Sequence, residues 1–177
     1  SQIVERARKI RNLGSEEKYI HDSYGFNSRL DAVQASFLRV KLKRLNRWNA
    51  ERRHLAHLYE TLLEKIPEVR RPRIVPESEP VFHLYPIITQ RRDALHNYLQ
   101  DHGIETLVHY PAPIPEQFRP FDGISGSEGK ERTPIATELS RQLLSLPIFP
   151  GMRQREAETV AEQVARFFAE IREDSAT

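Results

Sequence analysis

The chain has 177 residues, 38% apolar and 29% charged, a balance that builds one ordinary globular domain or slightly more and excludes disordered and fibrous classes. Its formal net charge is +2, too small a surplus for a dedicated nucleic-acid binder, whose affinity comes from neutralising many phosphates. No cysteine is present, which removes disulfides, thiolate metal sites, redox pairs and cysteine nucleophiles. No apolar run approaches the roughly 18–20 residues that span a bilayer. Residues 1–11 are charged rather than signal-like, so no membrane partner and a cytoplasmic setting are expected. The first residue is Ser1, and the expectation is processing or excision from something longer.

Residues 2–13 set Ile3, Ala7 and Ile10 on one helical face, with Gly14 beyond as a C-cap. Residues 15–28 hold turn formers and the aromatics Tyr19, Tyr24 and Phe26 without periodicity, a loop with something to contact. Between positions 30 and 66 apolar residues recur every three to four places (Leu30, Val33, Phe37, Leu38, Leu42, Leu45, Trp48, Leu55, Leu58, Leu62, Ile66), with no Gly or Pro. Ser28 and Asp31 suggest a capping-box start and Pro67 the end. The helix so predicted is about 55 Å long, a length that bridges domains or subunits.

Residues 68–80 hold three prolines and read as a connector. Three strand candidates follow, at 81–89, 104–110 and 143–149, each rich in β-branched, aromatic or leucine side chains. Pro86 marks the first as an edge or bulged strand. Helices are expected at 91–102 with Gly103 as cap, at 133–142 after a Thr-Pro start, and at 153–172. Residues 111–132 form a long irregular stretch rich in Pro and Gly. The fold class is therefore α+β: a long linking helix, then a small, three-layer-like domain with a sheet of about three strands flanked by helices.

Generic catalytic patterns are weak. Residues 123–130 imitate a phosphate loop, but Ile124 stands where its first glycine belongs and Glu131 replaces the magnesium-holding hydroxyl. His54 and His57 share a helical face without a third ligand, so no metal site is expected. The paired arginines 52–53, 70–71 and 91–92 read as solvated faces.

Three constellations remain. Asn27 and Arg29 stand where the long helix begins. Free N–H groups and the positive dipole end there suit an anion, to which Asn27 adds an amide and Arg29 a guanidinium fork. His109 and Tyr110 stand at a strand end before a proline loop. His83 and Tyr85 alternate with Phe82 and Leu84, which would put both on one face, His83 as a satisfied core histidine.

In order along the chain, GFNSRLDAVQA at 25–35, WNAERR at 48–53, HLY at 83–85, GIET at 103–106, HYPAP at 109–113 and LSLPIFP at 144–150 make up a set of motifs. Together they resemble the C-terminal part of the DegT/StrS sugar aminotransferases, enzymes of the aspartate-aminotransferase fold type (fold type I) that use pyridoxal 5'-phosphate (PLP). The resemblance covers residues 2–172. It implies a homodimer that moves an amino group from an amino donor, usually glutamate, to a keto sugar on a nucleotide.

By this resemblance Asn27 reaches in trans to the PLP phosphate of the partner subunit, and Arg29, His109 and Tyr110 bind substrate. It divides the chain into the tail of a large PLP domain with an interface loop (1–28), a linking helix (29–66) and a small domain (67–177). One departure is Pro115, before Glu116 and Gln117, where the family carries a further histidine. The family's first half, which holds the Schiff-base lysine and most PLP contacts, is not represented. Lys9, Lys18, Lys41, Lys43, Lys65 and Lys130 lack the matching context, so no catalytic residue is assigned and the chain alone is not expected to transaminate. The alternative is a stand-alone, non-catalytic binding or regulatory protein that retains the small domain.

Overall fold

The computed structural model of the chain describes residues 1–17, 19–117 and 133–174, which fall into two units, Ser1–Asn46 and Arg47–Thr177. The phosphate-loop imitation at 123–130, Lys18 and Lys130 lie outside the described residues.

In the first unit, helix α1 (Gln2–Arg11) unwinds through Leu13 and Gly14, both with left-handed backbone (φ +60° and +73°). The Gly14 N–H returns to the Lys9 carbonyl at 2.9 Å. The loop then folds back across the end of the helix. Asn27 lies opposite Asn12; Leu13 donates to Phe26 O (3.1 Å), Phe26 to Ile10 O (2.7 Å) and Ser28 to Arg11 O (2.9 Å). Only glycine permits this approach, since a Cβ on Gly25 would sit 2.0 Å from Gly14 N. The Lys9 ammonium meets Asp22 at 2.6 Å and Glu16 at 3.4 Å. The hydrogen bond from Lys9 holds the Asp22 carboxyl below its ordinary range.

Helix α2 (Ala32–Leu42) has Asp31 as its N-cap, in extended backbone. The expected capping box is absent: the Ser28 amide bonds Arg11 instead. Among the described residues of this unit no apolar side chain is buried, and Val33, Phe37 and Leu42 expose 66–67%.

The expected helix over 30–66 is interrupted. Residues 43 and 44 form a turn in which Arg44 N–H bonds Lys41 O, three residues back, and α3 follows (Leu45–Leu63). The apolar period runs on through the break, so charge accounts for it. Arg39, Lys41, Lys43, Arg44 and Arg47 crowd this region, several at three- and four-residue spacing, with no acid between Asp31 and Glu51.

All the buried apolar side chains described belong to the second unit. Leu55, Tyr59 and Leu63 form one stripe of α3, and Leu95 and Leu99 one of α4 (Arg92–Asp101). Opposite them lie Ala157, Val160, Val164 and Phe168 of the last helix, α7 (Gln154–Asp174). Each fully buried leucine contributes about 1.5–3 kcal/mol relative to exposure. Helix α4 ends in a Schellman motif: Gly103 (φ +72°) donates to Gln100 O at 3.0 Å, and Ile104 to Leu99 O at 2.8 Å. Helix α7 is capped by Glu156, whose Oε2 accepts the Arg153 N–H at 2.7 Å while Oε1 meets the Arg153 guanidinium at 2.9 Å. Two shorter helices, α5 (Ile114–Gln117) and α6 (Pro134–Gln142), are joined by a hydrogen bond from Thr137 to Glu116.

The sheet is smaller than three strands. Strand β1 (Tyr85–Ile88) pairs antiparallel with β2 (Leu143–Leu146), Tyr85 opposite Leu146 and Ile88 opposite Leu143. On each outer side a single bridge adds one rung, Arg70 to Ile88 and Leu107 to Ser145. Proline and a helix end stop both ladders. Beyond Arg70–Ile88 the next rung would join Pro72 to Pro86, neither of which has an N–H. Beyond Leu107–Ser145 the next rungs need Pro147, which has no donor, or Leu143, whose N–H caps α6 through Leu139 O. Pro86 therefore sits as expected, its missing N–H on the side away from β2.

Tyr59 and Tyr85 lie in the core with ring centroids 5.0 Å apart. Their hydroxyls donate to Pro147 O and Glu60 Oε1, each at 2.9 Å. Burial pushes both phenols above their ordinary range. Among the described residues no helix is long and apolar enough to cross a membrane, and none of their His, Asp and Glu groups could hold a metal ion. His54 and His57 are both exposed on α3.

Candidate functional site

Two places gather polar side chains in a hollow or cleft, one in each unit. In the first unit the folded-back loop delivers Asn27 and Arg29 to the start of α2, where they line a shallow hollow with Leu30, Asp31 and Ala32. The Arg29 Nε donates to Asn27 Oδ1 at 3.2 Å. That bond engages the amide oxygen, so its NH2 and the outer guanidinium nitrogens remain as donors. The first intrahelical bond runs from Ala35 N–H to Asp31 O, so the amides of the first turn add to the donor set. Asp31 makes no side-chain cap bond, and its carboxylate is the one opposing charge in the hollow. The arrangement fits an anion such as a phosphate group.

In the second unit a cleft of about 590 Å³ opens beside the sheet, lined by His83, His109, Ser145, Leu146, Phe149 and Met152 among others. His109 is half-buried, and its Nδ1 is hydrogen-bonded to Ser145 Oγ at 2.8 Å. Tyr110 adjoins it with ring centroids 6.2 Å apart, but its side chain is 73% exposed and does not line the cleft. Its backbone is left-handed, φ +61°.

His83 departs from the sequence expectation. It is exposed in the cleft rather than buried with Tyr85. The reason is local: Phe82 has φ +48° and the strand begins only at Tyr85, so the extended alternation does not reach His83. Tyr85 is a core residue, as expected. Thus Asn27 and Arg29 are brought together, as are His109 and Tyr110, while His83 joins the second group unforeseen. Ser145 was also missed, although it is the one polar residue of an otherwise all-leucine strand.

The fold, a loop-back to a helix start and then a helix-covered antiparallel sheet, is one shared with solved aminotransferase structures. The chain belongs to the DegT/DnrJ/EryC1/StrS aminotransferase family, which it matches over residues 1–165. It is 42% identical over 164 residues to a dTDP-3-amino-3,4,6-trideoxy-alpha-D-glucose transaminase of Streptomyces venezuelae, covering 92% of this chain and 42% of that protein. It is 39% identical over 158 residues to the erythromycin biosynthesis sensory transduction protein EryC1 of Saccharopolyspora erythraea, covering 89% of this chain and 42% of that one. Among solved structures, DesV of S. venezuelae in complex with a ketimine intermediate superposes with a TM-score of 0.80 at 37% identity, over 94% of this chain and 44% of that one. The chain thus spans less than half the length of the relatives it matches.

Proposed function

We propose that this chain is the C-terminal part of a PLP-dependent aminotransferase that transfers an amino group, from glutamate, to a nucleotide-linked keto sugar. The family match across residues 1–165 carries this reading, and the donor set at the start of α2 supports it. When bound, PLP supplies the electron sink and carries the amino group. Its Schiff-base lysine and most of its contacts belong to the half of the family not represented in this chain, and residues 1–177 alone are inactive.

In this reading residues 1–28 are the tail of the large domain and an interface loop, 29–66 the linking segment, and 67–177 the small domain. Asn27 donates its amide to the PLP phosphate of a partner subunit. Arg29 orients the anionic substrate beside it, and His109 and Tyr110 flank the sugar nucleotide. The exposed apolar residues of α2 are covered in the assembled homodimer, which removes a surface that a lone soluble chain seldom tolerates.

The test is complementation. The chain is co-expressed with the first half of a family aminotransferase, and amino transfer from glutamate to a dTDP-linked keto sugar is measured. Activity returns, and Asn27→Ala weakens PLP retention by about ten- to a hundredfold, the value of a hydrogen bond to a charged group. A co-purifying complex that stays inactive, or an Asn27→Ala complex that retains PLP normally, overturns the reading and favours the stand-alone binding protein.

A further inference from the structure

Ser145 stands on β2 with its backbone N–H and C=O both committed to Leu107 (2.9 and 3.2 Å). Leu144 and Leu146, on either side of it, are core residues at 0% and 2% exposure. Pleating therefore turns Ser145 to the opposite face, with its cross-strand neighbours Pro86 and Leu107. It is nevertheless only 6% exposed. A hydroxyl buried there costs free energy unless it is hydrogen-bonded. Its partner is His109 Nδ1, at 2.8 Å and 36 residues away in sequence. Packing alone would be met by alanine or another small apolar residue.

The consequence falls on His109. The ring reaches the cleft from the same sheet face, two residues beyond the Leu107 bridge, and its neighbour Tyr110 is held at φ +61°. With Nδ1 bound to a strand-mounted hydroxyl, which can serve either tautomer as donor or acceptor, the ring plane is set, and Nε2 has no partner among the described residues. A second imidazole–hydroxyl pair offers a built-in comparison: His96 Nδ1 meets Thr106 Oγ1 at 2.7 Å. Thr106 comes one residue before Leu107, and His96 belongs to α4.

We propose that Ser145 is a positioning residue: its hydroxyl fixes His109 through Nδ1 and presents Nε2 to the sugar-nucleotide substrate in the cleft. This rests on the reading above that His109 contacts that substrate.

The full chain, labelled with ¹⁵N-histidine, tests the first half by NMR correlation of the ring nitrogens. Wild-type His109 shows the Nδ1 shift of a hydrogen-bonded ring nitrogen; Ser145→Ala moves it to that of a solvent-facing imidazole, with His96 unmoved; Ser145→Thr, which keeps the hydroxyl, restores it. An unchanged His109 Nδ1 shift in Ser145→Ala overturns the proposal. So does an equal disturbance of His96, which would make the serine a general packing residue.

The complemented enzyme tests the second half. Ser145→Ala raises KM for the nucleotide sugar about two- to tenfold, the size of one neutral hydrogen bond, with little change in kcat. His109→Ala raises it at least as much, and adding Ser145→Ala to it changes nothing further. If the Nδ1 result holds while His109→Ala leaves KM untouched, the substrate role falls together with the reading beneath it. If the Nδ1 result fails, the proposal falls alone.

Discussion

Replacing Gly25 by alanine should detach the loop that carries Asn27 and Arg29 while leaving the second unit folded. The added Cβ would lie 2.0 Å from Gly14 N, 2.5 Å from Leu13 C and 2.6 Å from Ile10 O. All three obstacles are backbone atoms, so no rotamer change relieves the clash. The loop must lift from the end of α1 and break three backbone hydrogen bonds: Leu13 to Phe26, Phe26 to Ile10, and Ser28 to Arg11. At about 0.5–1.5 kcal/mol each, the net loss is about 1.5–4.5 kcal/mol. No buried apolar side chain is described in this unit to offset it. Hydrogen exchange followed by mass spectrometry reads the outcome. Gly25→Ala exposes the amides of Leu13, Phe26 and Ser28, while those of Ile88 and Ser145 in the sheet stay protected. Gly103→Ala is the contrast, since its Cβ meets nothing within 4 Å and only the left-handed φ of +72° is strained, a cost of about 1 kcal/mol at the end of α4. Wild-type protection at Leu13 and Phe26 in Gly25→Ala would refute the close-packing argument.

Alkali should unfold the second unit through Tyr59 and Tyr85. Both phenols are raised by burial, so the folded state keeps protons that the unfolded chain releases above pH 10. Their stabilisation is complete below about pH 10 and falls by about 1.4 kcal/mol per pH unit for each tyrosine as pH rises. Urea midpoints between pH 9 and 11.5 should drop less steeply in Tyr59→Phe and Tyr85→Phe, and an unchanged slope would count against it. Acid acts at the other end: Glu156 is lowered chiefly by its hydrogen bonds from Arg153. The stabilisation it gives α7 is present above the ordinary carboxylate range and disappears as pH falls through its depressed value. Thermal melts of wild type and Glu156→Gln should differ near neutrality and converge in acid; a gap that persists at low pH assigns the effect to something other than charge.

Local spacing was enough to find most helices and their ends. The three-to-four pattern marks α3, α4 and α7, Gly103 stops α4 where a left-handed residue is required, and Pro86 reads correctly as an edge position. The motif order from Gly25 to Pro150 was enough to suggest the family, because it depends on residue identity and needs no coordinates. What escaped it depends on partners remote in sequence or on backbone turns that no period reports. The third strand shrinks to one rung because Pro147 lacks a donor and the Leu143 amide is taken by α6, facts that matter only once 107 and 145 are known to be opposite. His83 leaves the core because Phe82 adopts a positive φ, which periodicity assumes away. The bond between His109 and Ser145 joins residues 36 apart, and the packing of Gly25 against the end of α1 is a backbone approach that a glycine permits but does not announce. Helices are encoded within a few residues, so they can be read from a linear string. A site is assembled from side chains that only the folded chain brings within 3 Å.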